Sequence, residues 1–222
     1  MTTTVGVVLF PGTNCEQDVV WAIEHVGGEA RICWHGDATI GDADAVVIPG
    51  GFAHGDYLRT GAIARFSPVM DAVRDFAAAG GPVVGICNGF QVLTEAGMLP
   101  GALQKNAGMK FLCETVELRV ETDTTALTNR ARPGDRLHIP INHFEGNYVC
   151  DAETLARLRA DERVVVRYVA NPNGSVDDIA GVCNEARNVV GLMPHPERAS
   201  DPILGSGDGA VLLGSLLKTA VG

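Results

Sequence analysis

The sequence predicts an α/β fold built on an open, mostly parallel sheet that is flanked by helices, with added antiparallel strands in the second half. Two observations predict this class. In the first half, short and continuously apolar segments alternate with segments of helical spacing, which is typical of parallel strands covered on both faces. In the second half, apolar and polar residues alternate, which is typical of strands with one solvated face. Together these patterns describe a flavodoxin-like arrangement.

The elements of the first half are bounded by turn residues. Ser67 and Pro68 are predicted to be the N-cap and the first residue of a helix. Helices are predicted at residues 14–26, 68–79 and 89–96, each of which is followed by a glycine. Strands are predicted where apolar runs are too short for helices, at residues 4–10, 30–34, 45–48 and 82–86.

The second half is predicted to add antiparallel strands and a last helix. Val116, Leu118 and Val120 alternate with polar residues, and the Asn-Pro-Asn-Gly-Ser run at 171–175 is a turn that joins two strands into a hairpin. Strands are predicted at residues 114–121, 164–170, 178–184 and 189–193, and an amphipathic helix at 209–221. No linker or repeat divides the chain, so residues 1–222 are predicted to form a single domain.

Composition and charge exclude or disfavour several classes of protein. Of the 222 residues 46% are hydrophobic, which excludes a disordered chain. A formal net charge of -10 without any basic run disfavours nucleic-acid binding. No segment reaches the ~20 apolar residues of a membrane span, and the start lacks the pattern of a signal peptide, so we expect a cytoplasmic protein that does not bind membranes. The six cysteines lack the paired spacings of zinc sites, so no metal site is predicted.

Cys87 is the first candidate catalytic residue. It stands in a Gly-x-Cys-x-Gly run between an apolar strand and a helix, where glycines permit a tight turn that lifts the side chain above the sheet. A thiol at a helix N-terminus is favoured as the thiolate, and the N–H of Asn88 is a candidate donor to an oxyanion. The alternative is a packed cysteine in a glycine-rich turn.

His195 is the candidate base. It follows a predicted strand and stands between Pro194 and Pro196, which restrict the backbone around it. Glu197 lies two residues further on and is a candidate acceptor for one ring nitrogen, which would leave the other nitrogen for the thiol. The alternative is a structural histidine in a turn, with a solvated glutamate.

Gly50 and Gly51 follow Pro49 and the predicted strand that ends at Ile48. A glycine pair in this position can bring a backbone N–H close to a ligand, and Gly51 is therefore a candidate second oxyanion donor. The alternative is an ordinary turn. Functional sites of open α/β sheets gather at the carboxyl ends of the strands, where all three motifs are predicted to lie.

Two of these motifs carry a resemblance to a known family. The chain resembles the class I (triad) glutamine amidotransferases through GICNGFQ at 85–91 and MPHPER at 193–198. Within that family it is similar to the glutaminase subunits of de novo purine biosynthesis. The likeness runs nearly from end to end, through FPGTNC at 10–15, PGGF at 49–52, GDYLR at 55–59 and EGNY at 145–148.

The resemblance implies a role for each residue that matches the family's motifs. It makes Cys87 the nucleophile, His195 the base and Glu197 the carboxylate that orients the base. It also implies that the backbone N–H groups of Gly51 and Asn88 form the oxyanion hole. These roles agree with the chemistry that the residue types suggest by themselves.

The resemblance further implies substrate contacts and partners. L-Glutamine is expected near Gln91 and near Asn142, His143 and Phe144, a segment that departs from the family's usual small residue, His and Gly. No cofactor is expected in this chain, which has no phosphate-binding loop with a lysine. ATP and Mg²⁺ are expected on a large synthetase subunit, joined by a small bridging subunit, that converts formylglycinamide ribonucleotide to formylglycinamidine ribonucleotide with the ammonia this chain supplies.

Three alternatives remain open on the sequence. The chain could serve a different synthetase, or it could be a related cysteine hydrolase on the same sheet. A non-catalytic, flavodoxin-like interaction subunit, in which Cys87 is a redox-sensitive core thiol, is an alternative of a different class. The stretch 55–59 is interpreted as part of a docking surface, with a solvated loop as the alternative.

Overall fold

A computed structural model describes residues 2–221 of the chain. Its strands are β1 (Thr4–Leu9), β2 (Glu29–Trp34), β3 (Ala45–Ile48), β4 (Val83–Ile86), β5 (Ala102–Gln104), β6 (Leu112–Val120), β7 (Arg136–His143), β8 (Asn147–Val149), β9 (Val164–Tyr168), β10 (Ile179–Cys183) and β11 (Val189–Leu192). Its α-helices are α1 (Glu16–His25), α2 (Val69–Ala78), α3 (Asn88–Glu95), α4 (Ala152–Ala160) and α5 (Gly209–Val221). None of the helices within residues 2–221 is both long and apolar enough to cross a membrane.

Nine of the strands form one mixed sheet in the order β2-β1-β3-β4-β11-β10-β9-β6-β7. From β2 to β11 each neighbouring pair is parallel, and from β11 to β7 each pair is antiparallel. The remaining strands, β5 and β8, form a small antiparallel pair of their own. This confirms the predicted flavodoxin-like sheet with antiparallel strands added by the second half.

The central strands carry apolar side chains on both faces because helices cover the parallel part of the sheet. Every residue of β3, β4 and β11 is buried. The register aligns Gly85 with Gly191 and Ile86 with Leu192, so β4 and β11 end side by side at the same edge of the sheet. The residues that follow these two strands are therefore neighbours in space.

The alternating pattern of the second half gives β6 one buried face and one exposed face, as expected. In β6 the side chains of Val116, Leu118 and Val120 are buried, while Thr115 and Arg119 face solvent. This strand pairs with β7 on one side and with β9 on the other, both antiparallel. The hairpin predicted around residues 171–175 is present as the antiparallel pair β9 and β10.

Several sequence predictions are wrong in detail. Ser67 does not cap α2: the helix has Pro68 as its N-cap and begins at Val69, and the Ser67 hydroxyl instead contacts His35 and His54. The sequence pattern missed β5, β7, β8 and α4. In β7 the apolar residues Leu137, Ile139 and Ile141 are buried and alternate with less buried ones, but the proline between the last two argues against a strand in the sequence.

Candidate active site

The backbone at Cys87 is strained, as expected for a tight turn between β4 and α3. Cys87 has φ 51° and ψ -105°, a conformation that is rare for any residue other than glycine. The turn closes only because Gly85 and Gly89 have no side chains. A Cβ on Gly89 would lie 1.9 Å from the carbonyl oxygen of Ile48, and one on Gly85 would lie 2.6 Å from the backbone of Gly89. The strain holds the thiol at the carboxyl edge of the sheet, where it lines a cavity.

His195 follows β11 and is held on two sides. Its backbone N–H donates to the carbonyl oxygen of Pro140 in β7 at 2.8 Å, and its Nδ1 lies 2.6 Å from Oε1 of Glu197. Both side chains are buried, with 1% exposure each. Burial alone would lower the pKa of His195, but the negative charges of Glu197 and Cys87 outweigh it and hold that pKa well above its ordinary value. The imidazolium is therefore the favoured form of His195.

The nucleophile and the base meet above Gly50. A Cβ built on this glycine would lie 2.7 Å from Cε1 of His195, 3.1 Å from Sγ of Cys15 and 3.5 Å from Cβ of Cys87. Nε2 of His195 has no hydrogen-bond partner among residues 2–221. The ring nitrogen that does not bind the carboxylate is thus available to a substrate or to the thiol, as a proton shuttle requires.

Two backbone N–H groups beside the thiol are available as donors. Within residues 2–221 no acceptor takes the N–H of Gly51 or that of Asn88, which is the first residue of α3. Gly51 has φ 152° and is packed so closely that a Cβ would lie 2.7 Å from backbone atoms of Thr13 and Asn14. Gly51 lines the same cavity as Cys87. The arrangement is that of an oxyanion hole, whose role here stays a prediction.

Gln91 and the 142–144 segment line the same cavity as Cys87. Gln91 is buried; its Nε2 donates to the carbonyl oxygen of Glu145 at 2.6 Å and its Oε1 accepts from Nδ2 of Asn88 at 2.8 Å. Asn142 and His143 are the last two residues of β7 and not part of a loop, and Phe144 follows them. Their contact with glutamine stays a prediction.

His143 is fixed as a neutral side chain. It is buried, its Nδ1 lies 3.1 Å from Oδ1 of Asn106, and its Nε2 has no partner among residues 2–221. Burial and the nearby His195 lower the pKa of His143 to about 4. A neutral imidazole at this place adds a hydrogen-bonding group to the cavity without adding charge.

The cavity has a volume of about 430 Å³, which suits a small amino acid. Several of its lining residues received no catalytic or substrate-binding role from the sequence: Cys15, Asp56, Arg59, Lys105, Glu145 and Arg198. Cys15 and Asp56 stand in two of the stretches that carried the family resemblance, FPGTNC and GDYLR, so the signal that could have found them was available. Arg198 contacts Sγ of Cys15 at 3.2 Å and the carboxylate of Asp18 at 3.1 Å.

Cys15, His195 and Glu197 place potential metal ligands within 4.8 Å of one another, and within residues 2–221 no other such group of three occurs. Two contacts disfavour a cation there. Nδ1 of His195 is already hydrogen-bonded to Glu197, and the guanidinium of Arg198 brings a positive charge to Cys15. The group is better suited to holding and moving protons than to binding a metal ion.

Comparison with known proteins finds relatives over nearly the whole chain. The profile of the CobB/CobQ-like glutamine amidotransferase domain matches residues 2–207. The chain is 58% identical over 216 residues to phosphoribosylformylglycinamidine synthase subunit PurQ of Rubrobacter xylanophilus, covering 97% of this chain and 98% of that protein. It is 53% identical over 222 residues to the protein of the same name from Koribacter versatilis, covering 96% of each.

Solved structures resemble the fold over the same span. A chain in the structure of PurLQS from Thermotoga maritima superimposes with a TM-score of 0.91 at 41% identity, covering 98% of this chain and 99% of that one. A Thermoplasma acidophilum protein described as part of a GMP synthase shares the fold with a TM-score of 0.70 at 13% identity, covering 100% of this chain and 95% of that one.

Proposed function

The chain belongs to the family of CobB/CobQ-like glutamine amidotransferases, and we propose on that ground and from its site that it is the glutaminase subunit of a phosphoribosylformylglycinamidine synthase. It hydrolyses L-glutamine to glutamate and delivers the ammonia to a synthetase subunit. One observation carries the catalytic part: β4 and β11 end side by side, so the strained Cys87 and the buried His195–Glu197 pair meet over Gly50.

The first half-reaction forms a thioester. The thiolate of Cys87 attacks the side-chain amide carbon of glutamine, and the carbonyl oxygen becomes an oxyanion that the N–H groups of Gly51 and Asn88 stabilise. The carbon–nitrogen bond then breaks, and His195 gives its proton to the leaving nitrogen, which departs as ammonia. Glu197 holds the ring through Nδ1 and stabilises the imidazolium.

The second half-reaction restores the thiol. His195, now neutral, takes a proton from a water molecule, and the hydroxide attacks the carbonyl carbon of the γ-glutamyl thioester. The carbon–sulfur bond breaks, glutamate leaves, and the sulfur of Cys87 returns to its thiolate beside the imidazolium.

ATP-dependent chemistry belongs to the partners in this proposal. A large synthetase subunit binds ATP and Mg²⁺, activates formylglycinamide ribonucleotide and receives the ammonia, and a small bridging subunit joins the two. The similarity to a chain of PurLQS from Thermotoga maritima supports an assembly of this kind. Asp56, Leu58 and Arg59 line the active-site cavity, and the side chains of Tyr57 and Leu58 are exposed, which supports the interpretation of the stretch 55–59 as part of the docking surface.

The experiment that tests the proposal compares two nitrogen donors. We would mix the chain with its synthetase subunits, ATP and formylglycinamide ribonucleotide, and measure product formed from glutamine or from ammonium. Cys87→Ala removes the nucleophile, so we expect glutamine-dependent synthesis to fall at least ~1000-fold while ammonium-dependent synthesis stays within about twofold.

Cys113→Ala is the matched control, because Cys113 is an exposed cysteine in β6 that does not line the cavity. It should leave both activities unchanged. A Cys87→Ala variant that still uses glutamine normally would exclude Cys87 as the nucleophile. A wild-type complex that uses ammonium but not glutamine would exclude the proposed function.

A further inference from the structure

Two carboxylates line the active-site cavity without a cationic partner. Asp56 and Glu145 share this cavity with Cys87, and within residues 2–221 neither forms an ion pair. Asp56 accepts a weak hydrogen bond from Nδ2 of Asn88 at 3.5 Å, and Glu145 accepts one from the hydroxyl of Thr60 at 3.4 Å. Neither contact neutralises a negative charge.

Holding these two carboxylates near each other is electrostatically unfavourable. Asp56 is half-buried, and burial together with the charge of Glu145 raises the pKa of Asp56 to about 6. The backbone at Asp56 has φ 53°, so the carboxylate is held in the cavity wall by a left-handed conformation. A bound cation would relieve the repulsion between the two carboxylates.

The pair stands close to the thiol along one chain of contacts. Asn88, the residue after Cys87, uses Nδ2 to reach both Oδ1 of Asp56 and Oε1 of Gln91. Gln91 in turn donates to the backbone carbonyl of Glu145 at 2.6 Å. Asp56 and the backbone of Glu145 are therefore both linked to the first turn of α3, which begins directly after the nucleophile. In glutamine only three carbon–carbon bonds separate the amide carbon from the α-carbon that bears the ammonium group.

Other groups in the cavity also point to a bound amino acid. Nε2 of His195 and Nε2 of His143 belong to buried side chains and have no hydrogen-bond partner among residues 2–221, although both rings line the cavity. Lys105 lines it too, and within the same residues its ammonium group makes no ion pair. The cavity thus presents unpaired charges of both signs, as the zwitterionic end of an amino acid requires.

We infer that Asp56, together with Glu145, binds the α-ammonium group of L-glutamine and makes the enzyme selective for an amino-acid amide over a simple amide. This inference rests on the proposed function and adds the residues that recognise the end of glutamine remote from the reaction. Binding energy from that end positions the amide carbon against Cys87.

The test uses the complex with its synthetase subunits and two amide donors. One is glutamine, and the other is 4-carbamoylbutanoate, which is glutamine without its α-amino group. In Asp56→Asn we expect the KM for glutamine to rise by about ten- to hundredfold, with a smaller change in kcat. The kcat/KM for 4-carbamoylbutanoate should stay within about threefold of wild type, so the preference for glutamine shrinks. Glu145→Gln should shift the preference in the same direction.

Asp42→Asn is the matched control, since Asp42 is an exposed aspartate that pairs with Arg31. It should leave both donors unaffected. Equal losses with both donors, an unchanged KM for glutamine, or failure of Asp56→Asn to assemble with the synthetase would each overturn the inference. A wild-type complex that uses ammonium but neither amide would overturn the proposed function as well. If wild type uses glutamine and only the expected effect of Asp56→Asn is missing, this inference alone fails.

Discussion

The parallel and antiparallel halves of the sheet both end at the cavity, but they build its walls by different means. In the parallel half, close backbone packing positions the residues that line the cavity. β3, β4 and α3 approach so tightly that Gly89 touches the carbonyl of Ile48. In the antiparallel half, buried polar side chains do so. Asn106 holds the end of β7 and the turn after it through contacts with His143, Gly146 and the carbonyl of Lys110.

The two walls tolerate different kinds of substitution. A wall made of backbone contacts has no room for an added methyl group, but it is indifferent to polarity because few side chains are involved. A wall held by hydrogen bonds is sensitive to the loss of a polar side chain, since a lost partner leaves buried donors and acceptors unsatisfied. The free energy of unfolding measured for single substitutions can therefore distinguish the two walls.

Gly89→Ala should have the largest effect. The added Cβ would overlap the carbonyl oxygen of Ile48, which is backbone and cannot move aside. We expect a loss of about 4 kcal/mol or more in the free energy of unfolding, because strand and helix must separate. Urea denaturation followed by circular dichroism measures it. Gly108→Ala is the control, since a Cβ there meets nothing within 4 Å; equal effects of the two variants would contradict the proposed role of close packing.

Asn106→Ala should have the next largest effect. The side chain is buried and takes part in four hydrogen bonds, so its loss should cost about 2 kcal/mol of unfolding free energy. Because the 143–146 segment contributes to the cavity wall, the KM for glutamine should also rise several-fold.

The control for Asn106→Ala is Asn147→Ala. Oδ1 of Asn147 is buried without a partner among residues 2–221, and its Nδ2 makes only one contact, at 3.5 Å. Its replacement should be nearly neutral in the same denaturation experiment. If Asn106→Ala were as mild as Asn147→Ala, hydrogen bonds would not be what holds the antiparallel wall.

Asp177→Asn should have the smallest effect, and one that depends on pH. Asp177 precedes β10; its hydrogen bonds with Arg159, aided by Arg167, lower its pKa to about 2 against the opposing effect of burial. The ion pairs are partly exposed, so we expect a loss below about 1 kcal/mol at pH 7. Asparagine tolerates the left-handed backbone at this position, where φ is 55°.

The sign of the pH dependence follows from the lowered pKa. An unfolded aspartate has a pKa near 3.9, so the folded state gains stability above that pH and loses the gain as the pH falls toward 2. The difference in unfolding free energy between wild type and Asp177→Asn should therefore be constant from pH 7 to 5 and shrink by pH 3. A difference that grows on acidification would refute this assignment.

The parallel half could be predicted from the sequence because its signals are local. Apolar runs such as Val83 to Ile86 and the glycines after the helices mark each element, and the strand ends then follow from topology. The placement of Cys87, Gly51 and His195 at one edge was predictable for the same reason. Their meeting over Gly50 was not, because it depends on the register between strands that are distant in sequence.

The antiparallel half was harder to predict because its stabilising groups are polar and non-local. In β7 apolar and polar residues alternate as they do in β6, but Pro140 stands within the run and argues against a strand, although β7 pairs along its whole length with β6. Asn106 resembles an ordinary loop residue in the sequence and acquires its role only when residues 143–146 pack against it. Asp56 stands in the GDYLR stretch that carried the family resemblance, but its role could not be derived locally, because its surroundings come from two other segments.

The left-handed backbone at Cys87 has an evolutionary consequence. Glycine adopts such a conformation without strain, so replacing Cys87 by glycine would make that turn easier to form. Glycine has no thiol, however, and the proposed reaction would be lost with the strain. Selection for a more stable protein and selection for a working enzyme therefore oppose each other at this residue, and in a lineage that no longer needed the reaction we would expect this position to drift first.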